Sequence, residues 1–333
     1  MIPPYVLQAL AAHGSPAQQR AAAATLVHDR RFRAARPVTP RPAADAVAGD
    51  PQRTIRDAGG TEDLAGRVVR REGEPATGDA AADEAYGGLG ATYDLYWDVF
   101  RRDSIDGAGL PLVGVVHYGT DYDNAFWDGE RMVFGDGDGE TFNRFTIAVD
   151  VVGHELTHGV TDATAMLEYQ GQSGALNESV SDCFGSMVKQ RVLGQAAADA
   201  DWLIGAGLLA DGIEGVALRS MSAPGTAYDD PRLGGRDPQP AHIDDFVTTT
   251  TDNGGVHINS GIPNRAFQLA ATGIGGRTWE GAGRVWYAVL TGGGLAAQAT
   301  FAEFARLTET AAAEVLGEHA AGAVRDAWAQ VGV

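Results

Sequence analysis

The stretch from Val151 to Asp182 limits this chain more than any other. It reads Val-Val-Gly-His154-Glu155-Leu-Thr-His158-Gly-Val, passes Tyr169-Gln170, and continues Asn177-Glu178-Ser-Val-Ser-Asp182. Residues four apart on a helix stand one above the other, so His154 and His158 share a face. Two imidazoles so placed can bind one Zn²⁺, with Glu155 between them as general base. Glu178 follows His158 by twenty residues, in a second run of helical character. A His₂Glu set leaves the fourth zinc position open for water, which is the catalytic arrangement. The expectation is a zinc hydrolase.

Composition excludes some alternatives. The net charge is −19 over 333 residues, against nucleic acid or an anionic membrane as partner. Residues 1–50 hold six Arg and three Asp, so a basic head precedes an acidic body. The single cysteine, Cys183, rules out an internal disulfide and reads as a buried small residue. No run reaches the length of a membrane span, and the start lacks the features of a secretory signal. A monomer is expected.

In chain order, Pro3-Pro4 implies an extended start, and Ser15-Pro16 opens a helix to about Arg31. Residues 34–52 read as a proline-rich linker open to proteolysis. A basic helical head, a linker and an enzyme make the organisation of a propeptide. Short strands follow over 54–73, then a helix with an aromatic face from Asp79 to Arg102, and a strand over Leu112–Tyr118. Asp128-Gly129 marks a hairpin. Gly135–Gly139 reads as a tight turn, not a calcium loop. The His-Glu helix is placed at Asn143–Ala163 and the next at Ser173–Leu193. Long loops over 220–255 precede a helix at Pro263 and further helices near 277–290, 300–316 and 318–331. The fold class is α+β: a strand-rich lobe, then a helical lobe, with the zinc helix flooring the cleft.

Val151–Asp162, Gly174–Asp182, Leu218–Ser222, Asp252–Gly261 and Asn124–Trp127 resemble motifs of the thermolysin family of zinc metallopeptidases, in the family's order. The resemblance runs from about residue 53 to the end. The Ile2-Pro3-Pro4-Tyr5 head is similar to the short propeptide of the protealysin-like branch. The resemblance implies a two-lobed thermolysin-like fold with 1–52 as propeptide and linker, 53–168 as catalytic lobe and 169–333 as helical lobe. It implies a zinc endopeptidase made as a zymogen, acting on peptides or proteins and held by its own propeptide.

Position by position, His154, His158 and Glu178 would bind zinc and Glu155 would act as base. Tyr169 and His257 would donate to the developing oxyanion. Arg219 would hold the substrate carbonyl as a bidentate donor. Asp182 would orient His154, Asn177 would orient His158, and Asp252 would fix His257. Asn124 and Ala125 would pair with an extended peptide beside Trp127. Phe142, Val151 and Leu218 would line the pocket for the side chain after the cut, favouring Leu, Ile, Val or Phe. His13, His28, His117, His242 and His319 match no role.

Two departures stand out. Positions matching a double calcium site hold Asp150, Lys189, Asp201, Leu203 and Ala206, and a further calcium position is Val216. Lys189 is therefore expected to replace calcium by pairing with Asp150 and Asp201, so calcium is not required there. The missing signal implies export by another route, or a cytoplasmic role. The competing functions are a catalytically silent, zinc-stabilised peptide-binding protein and a zinc hydrolase for a non-peptide substrate.

Overall fold

The computed structural model describes residues 2–34 and 48–333. The linker expected over 34–52 falls for the most part outside them. Helices α1 (Pro4–His13) and α2 (Pro16–Ala34) open the chain. The extended start expected from Pro3-Pro4 is a misreading: only Pro3 is extended, as N-cap, and Pro4 is the first helical residue. A proline there gives up an N–H that has no partner in a first turn anyway, and its φ suits a helix. Ser15 Oγ accepts from Gln18 N at 3.2 Å and starts α2. Ile2, Val6, Leu7, Leu10, Ala22 and Leu26 bury their side chains in one apolar core shared with the body.

Strands β1 (Arg53–Asp57), β2 (Arg67–Arg71), β3 (Leu112–Val116), β4 (Ala125–Trp127) and β5 (Met132–Phe134) form one sheet in the order β2-β1-β3-β5-β4. β4 is its outer strand, antiparallel to β5 with Phe126 opposite Val133. The turn between them is set by Asp128 Oδ1, which accepts from the N–H groups of Glu130 and Arg131. Helix α3 (Ala80–Phe100) begins at Asp79, whose carboxylate caps Ala82 N at 2.9 Å.

The His-Glu helix α4 (Val149–Asp162) starts six residues later than expected. Phe142 bridges Leu209 and Asn143 N donates to Leu208 O, and a separate 3-10 turn, Phe145–Ile147, follows before α4 begins. Helix α5 (Gly171–Leu193) packs tightly along α4. A Cβ on Gly185 would stand 2.3 Å from Asp150 O, and one on Gly153 would stand 3.0 Å from Gly185 Cα. Only glycines let the two helices approach so closely.

The strand pair β6 (Leu203–Ile204) and β7 (Arg219–Ser220) lies beyond α5. Helix α6 (Asp252–Asn259) opens well before Pro263, with left-handed backbone at Asn253, Gly254 and Gly255. It is followed by α7 (Gly261–Ile274), α8 (Ala282–Thr291), α9 (Phe301–Leu316) and α10 (Glu318–Gln330). Helix α8 begins at Ala282 rather than near 277. Phe267, Trp286, Phe304 and Trp328 pack as one aromatic group between the last helices. Among the described residues no helix is long and apolar enough to cross a membrane.

Candidate active site

Helices α4 and α5 bring His154, His158 and Glu178 together, and a ligand atom from each lies within 4.8 Å of the others. His154 Nδ1 donates to Asp182 Oδ1 at 2.7 Å. His158 Nδ1 donates to Asn177 Oδ1 at 2.7 Å, with Ser181 Oγ at 3.1 Å. Asn177 Nδ2 donates to Leu167 O, which fixes the amide's orientation. With Nδ1 protonated on both rings, each neutral Nε2 carries a lone pair. These two nitrogens face each other at 3.1 Å. Glu178 adds Oε2 at 3.4 Å from His154 Nε2 and Oε1 at 3.5 Å from His158 Nε2. Glu178 Oε2 is buried and has no hydrogen-bond donor among the described residues.

Two lone pairs and a carboxylate converging in a buried space call for a cation between them. Tetrahedral zinc at its usual Zn–N distance sets nitrogens about 3.3 Å apart, close to the separation found. The donor set fits zinc. Burial works against charge on His154, yet Asp182 and Glu178 raise its pKa to about 9. A metal ion must displace that proton, so binding releases protons. Burial lowers the pKa of His158. Burial pushes Glu178 up, but His257, His158 and His154 hold it well below the usual carboxylate range.

Glu155 is buried, and its Oε2 accepts from Trp127 N on β4 at 3.3 Å. Burial raises its carboxyl, but positive charge around it, including His154 and His158, keeps it below its ordinary value. Tyr169 donates its hydroxyl to Glu178 Oε1 and stands 3.2 Å from His257 Nε2. His257 Nδ1 donates to Asp252 Oδ1 at 2.6 Å, and His257 N to Asp252 Oδ2 at 2.9 Å. Asp252 holds this pose with a φ of 51°, in the left-handed region.

Arg219 departs from its expected pose. Its Nε and Nη2 form a fork on Asp182, at 2.8 and 2.7 Å, so this two-pronged face is not turned to a substrate carbonyl. The pairing follows from burial: both side chains lie almost wholly out of water, where each charge needs the other. Asp182 also accepts from Asn264 Nδ2 at 2.8 Å. Arg219 and His154 hold the Asp182 carboxyl far below its usual range against burial.

Asn124 sits at the start of the outer strand β4. Ile2 N donates to its Oδ1 at 2.9 Å, and its Nδ2 donates to Asp29 Oδ2 at 2.8 Å. Tyr122 donates to Asp29 Oδ1 at 2.7 Å, and Asp123 N to Thr25 Oγ1 at 3.1 Å. Gln18 Nε2 reaches Thr141 Oγ1 at 2.8 Å. Helix α1 also packs on the segment around Gly234, where an added Cβ would lie 3.3 Å from Ala9 Cβ. Ala125, Phe142, Val151 and Leu218 are buried, and Trp127 is half-buried.

Beyond His154, His158 and Glu178 along the same two helices, Lys189 Nζ lies 3.2 Å from Asp150 Oδ2 and 2.8 Å from Asp201 Oδ1. It donates to Leu203 O at 2.7 Å. Burial pushes the Asp150 carboxyl up, and Lys189 draws it back.

Sequence reasoning overlooked Ser181, Asn264, the Trp127 amide and Asp29. Ser181 had a signal, since it is three residues after Glu178 on the same helical face. Of the histidines left without a role, His117 joins Asp79 to Asp136, and His28 on α2 packs on Tyr118 and Tyr122.

The family model described as the thermolysin metallopeptidase catalytic domain matches residues 52–162, and that of the alpha-helical domain matches 165–333. An "Extracellular metalloprotease" of Pectobacterium carotovorum subsp. carotovorum is 56% identical over 333 residues, covering 100% of this chain and 96% of that protein. "Protease PrtS" of Photorhabdus sp. (strain Az29) is 47% identical over 340 residues, covering 100% and 91%. The solved structure titled "Precursor of Protealysin, Metalloproteinase from Serratia proteamaculans" superposes with a TM-score of 0.94 at 55% identity, covering 100% of this chain and 99% of that one.

Proposed function

This chain belongs to the thermolysin family of metallopeptidases, and from that premise we propose that it is a zinc endopeptidase made as a zymogen. The observation that carries the reading is the pair of lone-pair nitrogens 3.1 Å apart beside a buried carboxylate, with Glu155 next to them. A silent binding module has no use for such a set and finds no support among the relatives.

Zinc held by His154, His158 and Glu178 would acidify a water and polarise a peptide carbonyl. Glu155 takes the water proton and returns it to the leaving amine. Its Trp127 partner is a backbone N–H, which helps to aim the carboxylate. His257, its tautomer fixed by Asp252, and Tyr169, once its hydroxyl leaves Glu178 Oε1, turn their hydrogens to the oxygen on which charge develops. Asp182 and Asn177 keep the two ligand imidazoles in their metal-binding tautomer. The role of Arg219 becomes that of neutralising Asp182, on which its Nε and Nη2 close as a fork. Asn124 and the Ala125 backbone pair with an extended peptide along β4. Phe142, Val151 and Leu218 form the apolar pocket that selects Leu, Ile, Val or Phe after the cut.

The domain division follows the same reading: 1–52, 53–168 and 169–333. Residues 1 to about 52 cover the cleft and are removed to release activity, supported by the contacts of Ile2 and Asp29 with Asn124. Secretion is inferred from the names of the relatives, and calcium is not required where Lys189 stands. Glu155→Ala tests the core of the proposal. The variant should bind zinc, lose hydrolysis of a peptide library by about 10³-fold or more, and keep its amino-terminal segment by mass spectrometry. Full activity in this variant ends the proposal.

A further inference from the structure

Asp182 gathers donors from three separate parts of the chain. Its two oxygens accept from His154 Nδ1, from Arg219 Nε and Nη2, and from Asn264 Nδ2. Asn264 is fully buried on α7, and its own Oδ1 has no donor among the described residues. A buried amide oxygen without a donor lowers stability, a penalty that leucine, with the same branching and no polar atom, would not carry. Packing alone gives no reason for asparagine here. The N–H on Asp182 does.

Helix α7 continues α6 through Ser260, and His257 lies seven residues before Asn264, two turns back. Gln239 ties this junction, its Nε2 donating to His257 O at 2.8 Å and to Ser260 Oγ at 3.0 Å. Asn264 therefore fastens the helix pair that carries His257 to the carboxylate that orients His154. From this geometry we infer that Asn264 is a positioning residue: it holds Asp182, and through it His154, in register with His257. The inference rests on the metallopeptidase reading above. Asn264 acts through Asp182.

Full-length chains carrying Asn264→Leu or Asn264→Ala separate this role from packing. Zinc affinity is read by chelator competition in a Glu155→Ala background, and kcat and KM with Glu155 intact. The zinc dissociation constant should rise about tenfold and kcat fall by a similar factor, with KM little changed. The zinc-free melting temperature of each variant is read alongside, and both losses should persist at an assay temperature well below it. Zinc affinity and kcat equal to the parent's in both variants overturn the inference. So does a lowered zinc-free melting temperature whose losses in affinity and kcat vanish at a lower assay temperature, which is the mark of packing. Should Asn264→Leu not fold, Asn264→Ala is scored by the same two losses. A parent that neither binds zinc nor cleaves peptides refutes the metallopeptidase reading instead, and the parent measurement shows this on its own.

Discussion

Helices α4 and α5 solve the same electrostatic problem twice, by opposite means. Asp150 and His154 are one turn apart on α4, yet one faces an ammonium and the other a space suited to a metal ion. At the Asp150 end the positive charge is part of the chain. Lys189 arrives with the fold, makes three fixed contacts and exchanges with nothing. At the His154 end the charge must come from solution, and it must keep one position open for chemistry. A cation that only neutralises can be replaced by a side chain. One that must accept a substrate cannot, since a lysine has donors and no empty coordination site.

The largest effect should come from emptying the exchangeable end. A strong chelator should lower kcat/KM by about 10³-fold or more, and zinc should restore it, while the zinc-free chain still unfolds cooperatively. Hydrolysis that survives chelation would erase the distinction between the two ends. Lys189→Met should come next. It strands the Asp150 carboxylate out of water and should destabilise the chain by about 3–5 kcal/mol, read by urea unfolding at pH 7. The matching sharpened test is calcium, which should leave the melting temperature of the parent unchanged. A rise of many degrees would mean that the Lys189 end still takes an ion.

The smallest effect concerns Asp123, a carboxylate with no cation. It is buried beneath α2, with Oδ2 lacking a donor among the described residues. Burial, aided by the charge of Asp138, pushes its pKa up to about 8. Between the ordinary carboxylate range and pH 8 the folded chain keeps a proton that the unfolded chain has lost. This contribution to stability is complete below the unfolded pKa and is lost as pH rises to about 8. In a Glu155→Ala chain, Asp123→Asn should therefore gain melting temperature over its parent through that window and hold the gain above it. Parallel curves would show that Asp123 does not titrate there.

The core of the site was legible because it is local. His154 and His158 need only helical spacing, and Asn177, Glu178 and Asp182 lie within six residues. The two-lobed fold and the family were readable from motifs spread over 124–261. What stayed hidden depends on approach through space. Arg219 meets Asp182 across 37 residues, Asn264 meets it across 82, and Asp29 meets Asn124 across 95. Periodicity carries no information about such pairs. The misread start had a different cause: a proline reads the same as a breaker or as a first helical residue, and only the packing of Val6, Leu7 and Leu10 decides between them.

The grip on Asn124 from both faces sets how activity depends on dilution. On the role proposed for Asn124, Ile2 and Asp29 compete with a peptide for the same amide while the chain is intact, at an effective concentration on the order of millimolar. Cutting the connection would turn a tethered occupant into a free one whose occupancy follows its own bulk concentration. The same cleaved molecules would then be silent when crowded and active when dispersed.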